Sequence, residues 1–468
     1  MRFQERFWGW PDRAWRCAGL DAAIAFTLAA RLASIAGSTV TVLLIVRLLS
    51  PIEQGYYYTL LSLISLQTVF ELGFSFVVQQ LAAHECVDLQ FDAQGGVSGD
   101  PEAHARLAST LKLTLHWYTR AAVAMGLTLT PLGMIFFARH AAAGGAPVAW
   151  QGPWLTAVAA CAVGLWCSPY YSFLEGCGQV RAVAAMRVGQ ALTTSAFAWA
   201  PMLLGRGLYA PAMAIAGNAA AGVVFLFRRR LLLHGLLRHT ACGAPIDWIG
   251  EVWPFQWRIA VSWTCSFLTA QIFVPLLFAL RGAVAAGQMG MSLSVTGYIT
   301  VLALAWTSTK TTPFARMIAR REFRSLDRLF LRTLGQSLRV FGLMALAAYA
   351  AACLLPAALP RLASRMVSPQ LFALLVLGAG ANCAAQGLAT LLRSFKSEPF
   401  LLQSLTVAAL TLGLAVLTAA RWGTAGAALS YVVANALFGL PFAGSIFVRA
   451  RRGYLELEPV AGSGADAA

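Results

Sequence analysis

Apolar residues run along this chain in stretches of about 20, enough to carry one helix across roughly 30 Å of hydrocarbon, with short polar breaks between them. Twelve such spans are predicted, near residues 22–46, 57–83, 113–137, 153–174, 184–204, 209–227, 255–280, 288–310, 331–356, 369–392, 400–419 and 425–448. Helices are the expected elements, because lipid offers backbone N–H and C=O groups no partner outside the segment itself. The pattern therefore predicts an all-α polytopic membrane protein.

Composition agrees with the pattern. Of the 468 residues 59% are hydrophobic and 12% charged, too apolar for an ordinary soluble surface. The first 20 residues carry four arginines and three tryptophans and lack a clean cleavage pattern, which predicts a retained interfacial arm. With the N-terminus inside, the inner segments hold 21 Lys and Arg and the outer segments seven, so both termini are expected in the cytoplasm. A basic inner face against anionic lipid accounts for the net charge of +16 without nucleic acid. The nine cysteines form no CxxC pair and read as small buried hydrophobes.

The two halves repeat weakly. The stretch from Gly55 overlays that from Gly287, Leu115 overlays Leu334 with Arg120 on Arg339, and Asn218 overlays Asn435 with Gly222 on Gly439. Each half holds six spans, an even number, so both enter from the same side, related by an axis along the membrane normal. The expected architecture is two pseudo-symmetric six-helix bundles around a central cavity. The arm takes residues 1–20, the bundles 21–240 and 241–450, and a cytoplasmic tail 451–468. The polar stretch 84–110 is expected to be a flexible connector.

Seven basic residues fall inside the spans: Arg31, Arg120, Arg187, Arg258, Lys310, Arg332 and Arg339. An ionised side chain near the bilayer centre costs about 2.5–3.5 kcal/mol on insertion scales, so a deep one needs water, a partner or a ligand. Arg187, Arg258 and Arg332 lie within a turn of an inner end, where snorkelling suffices. Arg31 lies roughly 13 Å in, too deep for that. Glu71 sits roughly 18 Å from the inner end of the second span, at a depth similar to Arg31 on an antiparallel neighbour. The two either neutralise each other as a buried pair or exchange partners when an anionic cargo arrives. Arg120 and Arg339 either grip one diphosphate from both sides, guanidinium to phosphate, or anchor the inner leaflet. Lys310 adds a mobile charge beside hydroxyls and Pro313.

At residues 48–85, "LLSPIEQGYYYTLLSLISLQTVFELGFSFVVQQLAAHE", the chain resembles the polysaccharide flippases of the multidrug/oligosaccharidyl-lipid/polysaccharide exporter superfamily. Gly55-Tyr56 follows the first span, Glu71-Leu72-Gly73 lies within the second, and Gln79-Gln80 makes a polar exit. The resemblance implies translocation of undecaprenyl-diphosphate-linked oligosaccharide across a bacterial inner membrane, for O-antigen or exopolysaccharide synthesis, by alternating access. It also implies that Arg31, Arg258 and Lys310 line the cavity, while the second helix offers Glu71 where relatives offer a base. A cation or drug antiporter of the same superfamily is the alternative, and it needs converging acids where only Glu71 qualifies. A membrane polymerase or ligase acting on lipid-linked sugars is the second alternative, disfavoured by short outer loops with essentially one carboxylate, Glu53. Paired carboxylates, HExxH, nucleophile elbows and phosphate-cradling loops are absent, so no enzyme chemistry, cofactor or metal is expected; cargo, membrane lipid and a coupling proton or sodium ion are the expected partners. If Glu71 exchanges partners, Glu71→Gln shifts the pH or ion dependence of transport; unaltered dependence in a vesicle assay assigns it to structure.

Overall fold

The computed structural model describes residues 22–86, 89–91, 97–140, 148–238, 250, 253–395 and 399–456. The expected arm 1–20, the tail beyond residue 456, Cys17 and Cys242 lie outside the described residues. The apolar runs form helices: α1 (Ala22–Leu48), α2 (Pro51–Ile64), α3 (Gln67–Glu71), α4 (Phe74–Glu85), α5 (Pro101–His140), α6 (Gln151–Gly176), α7 (Val180–Leu203), α8 (Ala210–Arg228) and α9 (Arg230–Arg238). Then come α10 (Trp253–Gln271), α11 (Phe273–Arg281), α12 (Ala283–Ser308), α13 (Thr311–Ala319), α14 (Phe323–Ala358), α15 (Pro360–Ala363), α16 (Pro369–Arg393), α17 (Leu401–Trp422) and α18 (Thr424–Val432), followed by a π-helical stretch Val433–Gly439 and α19 (Leu440–Glu456).

Among the described residues nine helices are long and apolar enough to cross a membrane, and the pair α10–α11, bent by 41°, makes ten. The sequence pattern predicts twelve. The other two are α7, 24 residues long but carrying Arg181, Arg187, Gln190, Thr193 and Thr194, and the expected continuous span 57–83, which is not continuous. That span is interrupted after Ile64 and again at Leu72-Gly73, where both residues adopt the left-handed conformation, φ 53° and 65°. Glycine takes this conformation without penalty, whereas Leu72 bears a cost of roughly 1–2 kcal/mol. The stretch Glu71-Leu72-Gly73 is thus a backbone break. Most of its neighbours are apolar, so the mean hydropathy of the span does not reveal it.

The stretch 84–110, expected as a flexible connector, is ordered through most of its described residues. Strands β1 (Leu89–Phe91) and β2 (Val97–Gly99) pair antiparallel, Leu89 facing Gly99. Asp100 accepts hydrogen bonds from the Glu102 and Ala103 backbone amides, both 3.3 Å, and so caps α5. Arg106 on α5 donates to Glu85 at the end of α4, 2.9 Å. The longest helices, α5 with 40 residues and α14 with 36, are the pair that the repeat matches through Arg120 and Arg339.

The described residues fall into two compact units. One comprises those within Met1–Leu49, Gly73–Arg139 and Pro147–Gln256. Here α1 packs along α7, α7 along α8, and α6 against α4 and α8. Trp199 Nε1 on α7 donates to Thr41 Oγ1 on α1, 2.9 Å. Trp154, Phe137 and Phe173 are fully buried in its core. On α4, Phe74 stacks on Tyr118, and Ser75 Oγ meets the hydroxyls of Tyr118 (2.9 Å) and Ser168 (3.2 Å), joining α4, α5 and α6.

The second unit comprises Ser50–Leu72, His140–Ala146 and Trp257–Ala468, again for the described residues among them. Its entry is set by a capping box: Ser50 Oγ accepts from the Glu53 amide (3.2 Å), Glu53 Oε2 accepts from the Ser50 amide (2.8 Å), and Pro51 opens α2. Helix α2 then lies on α12 at backbone distance. A Cβ on Gly55 would collide with the Ala283 carbonyl, and one on Gly287 would lie 2.9 Å from the Gly55 nitrogen. The two glycines that the repeat aligns therefore touch each other. Beside them buried Gln54 donates to the carbonyls of Gly287 and Arg365, both 3.0 Å. Burial holds the Arg365 guanidinium below its ordinary pKa, with Glu53 opposing the shift. At the far end of the unit, Arg451 of α19 grips Asp327 of α14 through two hydrogen bonds of 2.8 and 2.6 Å. Tyr454 donates to the same carboxylate, 3.2 Å, and stacks on Phe395.

Replacing Gly55 by alanine is expected to lower the thermal midpoint of the detergent-solubilised protein, since forcing α2 from α12 costs at least the roughly 1–3 kcal/mol of ordinary overpacking. Gly126→Ala on α5, with open space at its Cβ position, is expected to leave the midpoint unchanged or raise it.

Candidate functional site

Two adjoining cavities, of about 490 and 400 Å³, lie within the second unit. Helices α2, α10, α11, α12, α16 and α18 line the first, bringing Tyr58, Ser62, Gln271, Ser294, Tyr298 and Asn382 to its wall. The second is lined by Thr68, Trp263, Arg393, Gln403, Asn435 and Gly439 among others. Ala270, Asn382, Gln386 and Tyr431 belong to both, so these four form the partition.

Helical spacing explains which residues reach the wall. On α16, Ala379, Asn382, Gln386, Ala389 and Arg393 recur at intervals of three or four and form one stripe. Gly290, Ser294, Gly297, Tyr298 and Val301 do the same on α12. The third wall comes from Tyr431, Asn435 and Gly439, spaced by four through the π-helical stretch. Such stretches are rare and concentrate at functional sites. Asn435 Nδ2 donates to the Tyr431 carbonyl, 2.9 Å, and keeps its place on that wall.

The bend between α10 and α11 has a specific cause. Pro275 lacks the N–H that would bond the Gln271 carbonyl four residues earlier. Ser62 Oγ of α2 takes that role, donating to the Gln271 carbonyl at 2.7 Å with Gln271 Oε1 3.2 Å away. A neighbouring hydroxyl thus satisfies a backbone group freed by proline, as apolar surroundings require. The bend and its hydroxyl partner form one edge of the first cavity.

Electrostatically the cavities are almost neutral. Among the described lining residues there is no Asp, Glu, Lys or His, and Arg393 is the one cation. The remaining polar groups are hydroxyls, carboxamides and phenols, which both donate and accept hydrogen bonds. Tyr and Trp rings supply apolar faces. This wall suits a ligand rich in hydroxyl or amide groups, and its described lining residues include no carboxylate to neutralise a bound cation.

The six residues singled out from sequence divide between the two units. Arg31 is exposed on α1 and Arg120 on α5, both in the first unit. In the second unit Arg339 is exposed on α14, and Lys310 is exposed at the N-cap of α13. Arg258 is exposed on α10 with its guanidinium 5.6 Å from the Trp257 ring centroid. Glu71 is half-buried as the last residue of α3. None of the six lines either cavity. Arg187, read as a snorkelling residue, donates to Glu175 at 2.8 Å. The lining amides were legible in principle: Asn382 and Gln386 are polar residues four apart inside an apolar span, and Asn435 is an anchor of the internal repeat.

No sequence-family model and no curated protein matches the chain. Solved structures do. The lipid II flippase MurJ, in an inward closed conformation, superposes with a TM-score of 0.57 at 12% identity, over 93% of this chain and 91% of that one. The MATE multidrug transporter DinF-BH in complex with R6G gives 0.57 at 12% identity, over 93% and 96%. A MOP superfamily transporter from Pyrococcus furiosus, described as having reversed polarity of its binding pocket, gives 0.54 at 14% identity, over 94% and 96%. The chain has the fold of these transporters along nearly its whole length.

Gln386→Leu keeps side-chain volume while removing an amide common to both cavities. It is expected to weaken the binding of a hydroxyl- or amide-bearing ligand in the cavities about tenfold, the equivalent of one hydrogen bond of roughly 1.4 kcal/mol, with the yield of folded protein unchanged by size-exclusion chromatography.

Proposed function

We propose that the protein is an alternating-access membrane transporter whose cargo is a lipid-linked oligosaccharide, moved from the inner to the outer leaflet of a bacterial inner membrane. The fold, shared with transporters and with a lipid II flippase, supports the transport class. The observation that carries the cargo class is the neutral, hydroxyl- and amide-lined wall of the paired cavities, with Arg393 its one cation among the described residues. Sugar hydroxyls match such groups, and tyrosine faces accommodate the apolar faces of sugar rings.

In this reading two six-helix bundles rock about the cargo, the lipid tail stays in the bilayer, and the saccharide crosses within the protein. Arg31 receives the diphosphate, assisted by Arg258, Lys310, Arg120 and Arg339, because guanidinium and ammonium groups pair with phosphate oxygens. Glu71 serves as the exchange partner of Arg31. The product feeds O-antigen or exopolysaccharide synthesis.

A second reading, cation or drug antiport, is favoured by the recurrence of MATE transporters among the like-folded structures. These weigh more heavily toward antiport than the lipid II flippase weighs toward flipping. The absence of a lining carboxylate among the described residues counts in the opposite direction. One strain separates the two. Deletion of the gene is expected to leave complete lipid-linked repeat units accumulating on the cytoplasmic leaflet, with the efflux of cationic dyes unchanged. Lost dye efflux with normal lipid-linked intermediates selects the antiporter, and normal outer-leaflet units with failed chain extension select a polymerase.

A further inference from the structure

Helices α4 and α6 end side by side. A Cβ on Gly176 would lie 2.5 Å from the Gln79 carbonyl and 2.7 Å from Ala82 Cβ, so only glycine lets the last turn of α6 settle onto the backbone of α4. One residue beyond each helix stands a cysteine. Cys86 caps α4, its amide bonded to the Ala82 carbonyl at 3.0 Å, and Cys177 caps α6, its amide bonded to Phe173 at 2.9 Å. The two sulfurs are 2.9 Å apart. Cys177 is buried, whereas Cys86 is partly open to solvent. The carboxylates beside them are each engaged by an arginine, Glu85 by Arg106 at 2.9 Å and Glu175 by Arg187 at 2.8 Å.

We propose that Cys86 and Cys177 form a reversible redox modification site, oxidised by hydrogen peroxide to a disulfide that ties the end of α4 to the end of α6. The more accessible Cys86 sulfur attacks one peroxide oxygen, the O–O bond breaks, and water leaves a sulfenic acid. The Cys177 sulfur then attacks the Cys86 sulfur, the S–O bond breaks and a second water departs. Two electrons pass from the thiols to peroxide, and a dithiol reductant reverses the change by exchange. The cross-link closes on a short helix that begins directly after the Leu72-Gly73 break and is already held at its start by the Ser75 hydroxyl contacts. Oxidation therefore fixes α4 at both ends. The site is independent of the cargo proposed above.

The test uses the full-length protein in detergent micelles, treated with hydrogen peroxide, denatured and titrated with a mass-tagged maleimide. Wild type is expected to lose two of its nine reactive thiols, to yield a linked peptide pair containing Cys86 and Cys177, and to regain both thiols with dithiothreitol. Cys86→Ser is expected to keep all its remaining thiols and Cys177→Ser to lose at most one, Cys86 stopping at the sulfenic acid with no linked peptide pair, while Cys161→Ser, with an unrelated buried cysteine replaced, still loses two. The oxidised wild type is expected to melt at a higher temperature than the reduced form, with no such rise in Cys86→Ser. No loss of thiols in wild type, linked peptides joining other cysteines, or loss of two thiols in Cys86→Ser overturns the proposal.

Discussion

The contact on which the second unit is built is a meeting of two backbones, that of α2 at Gly55 and that of α12 at Ala283 and Gly287. Between helices in lipid there is no hydrophobic driving force to speak of, so close packing and interhelical hydrogen bonds must hold them together. Glycine supplies the first and Gln54 the second, its amide reaching the Gly287 and Arg365 carbonyls from the same turn. Once α2 is set on α12, Tyr58 and Ser62 necessarily face the first cavity, and the chain must leave α2 again to reach the elements that follow. The interruptions at Ser65-Leu66 and Leu72-Gly73 are where it does so, and Leu72 and Gly73 stand on opposite sides of the division between the units.

Much of the fold was legible because a membrane restricts the backbone so severely. Long apolar runs become helices, and nine of the twelve expected spans are recovered directly, a tenth as the bent pair α10–α11. What escaped was short-range. A break carried by two residues, Leu72 and Gly73, leaves no trace in an average over a whole span. The order in 84–110 rests on a hairpin with three-residue strands and on Asp100 capping α5, features smaller than any periodicity. Gly55 and Gly287, aligned with each other from sequence, are in contact.

The sequence reading and the cavities draw attention to different residues. A charge inside an apolar run attracts notice because it is expensive there, and the reading from sequence followed Arg31, Glu71 and the other ionised groups. The lining of the two cavities is made mostly of neutral polar and apolar groups, and several of the polar ones have a neighbour to bond. Asn435 bonds Tyr431, and Thr300, which also lines the first cavity, bonds the Thr296 carbonyl within its own helix. Neutral amides and hydroxyls in a span look unremarkable singly. Only their recurrence every three or four residues along α16 and α12 marks a surface.

Ser62 carries a consequence of its own. Its hydroxyl bonds the carbonyl that Pro275 leaves free, at a bend bordering the cavity. That couples α2 to α10–α11: turning α2 about its axis would withdraw the hydroxyl and leave a bare carbonyl in a medium of low dielectric, unless water or another hydroxyl took its place. The backbone defect is thereby converted into a resistance to rotation, which a hydroxyl-bearing molecule could relieve and an apolar one could not.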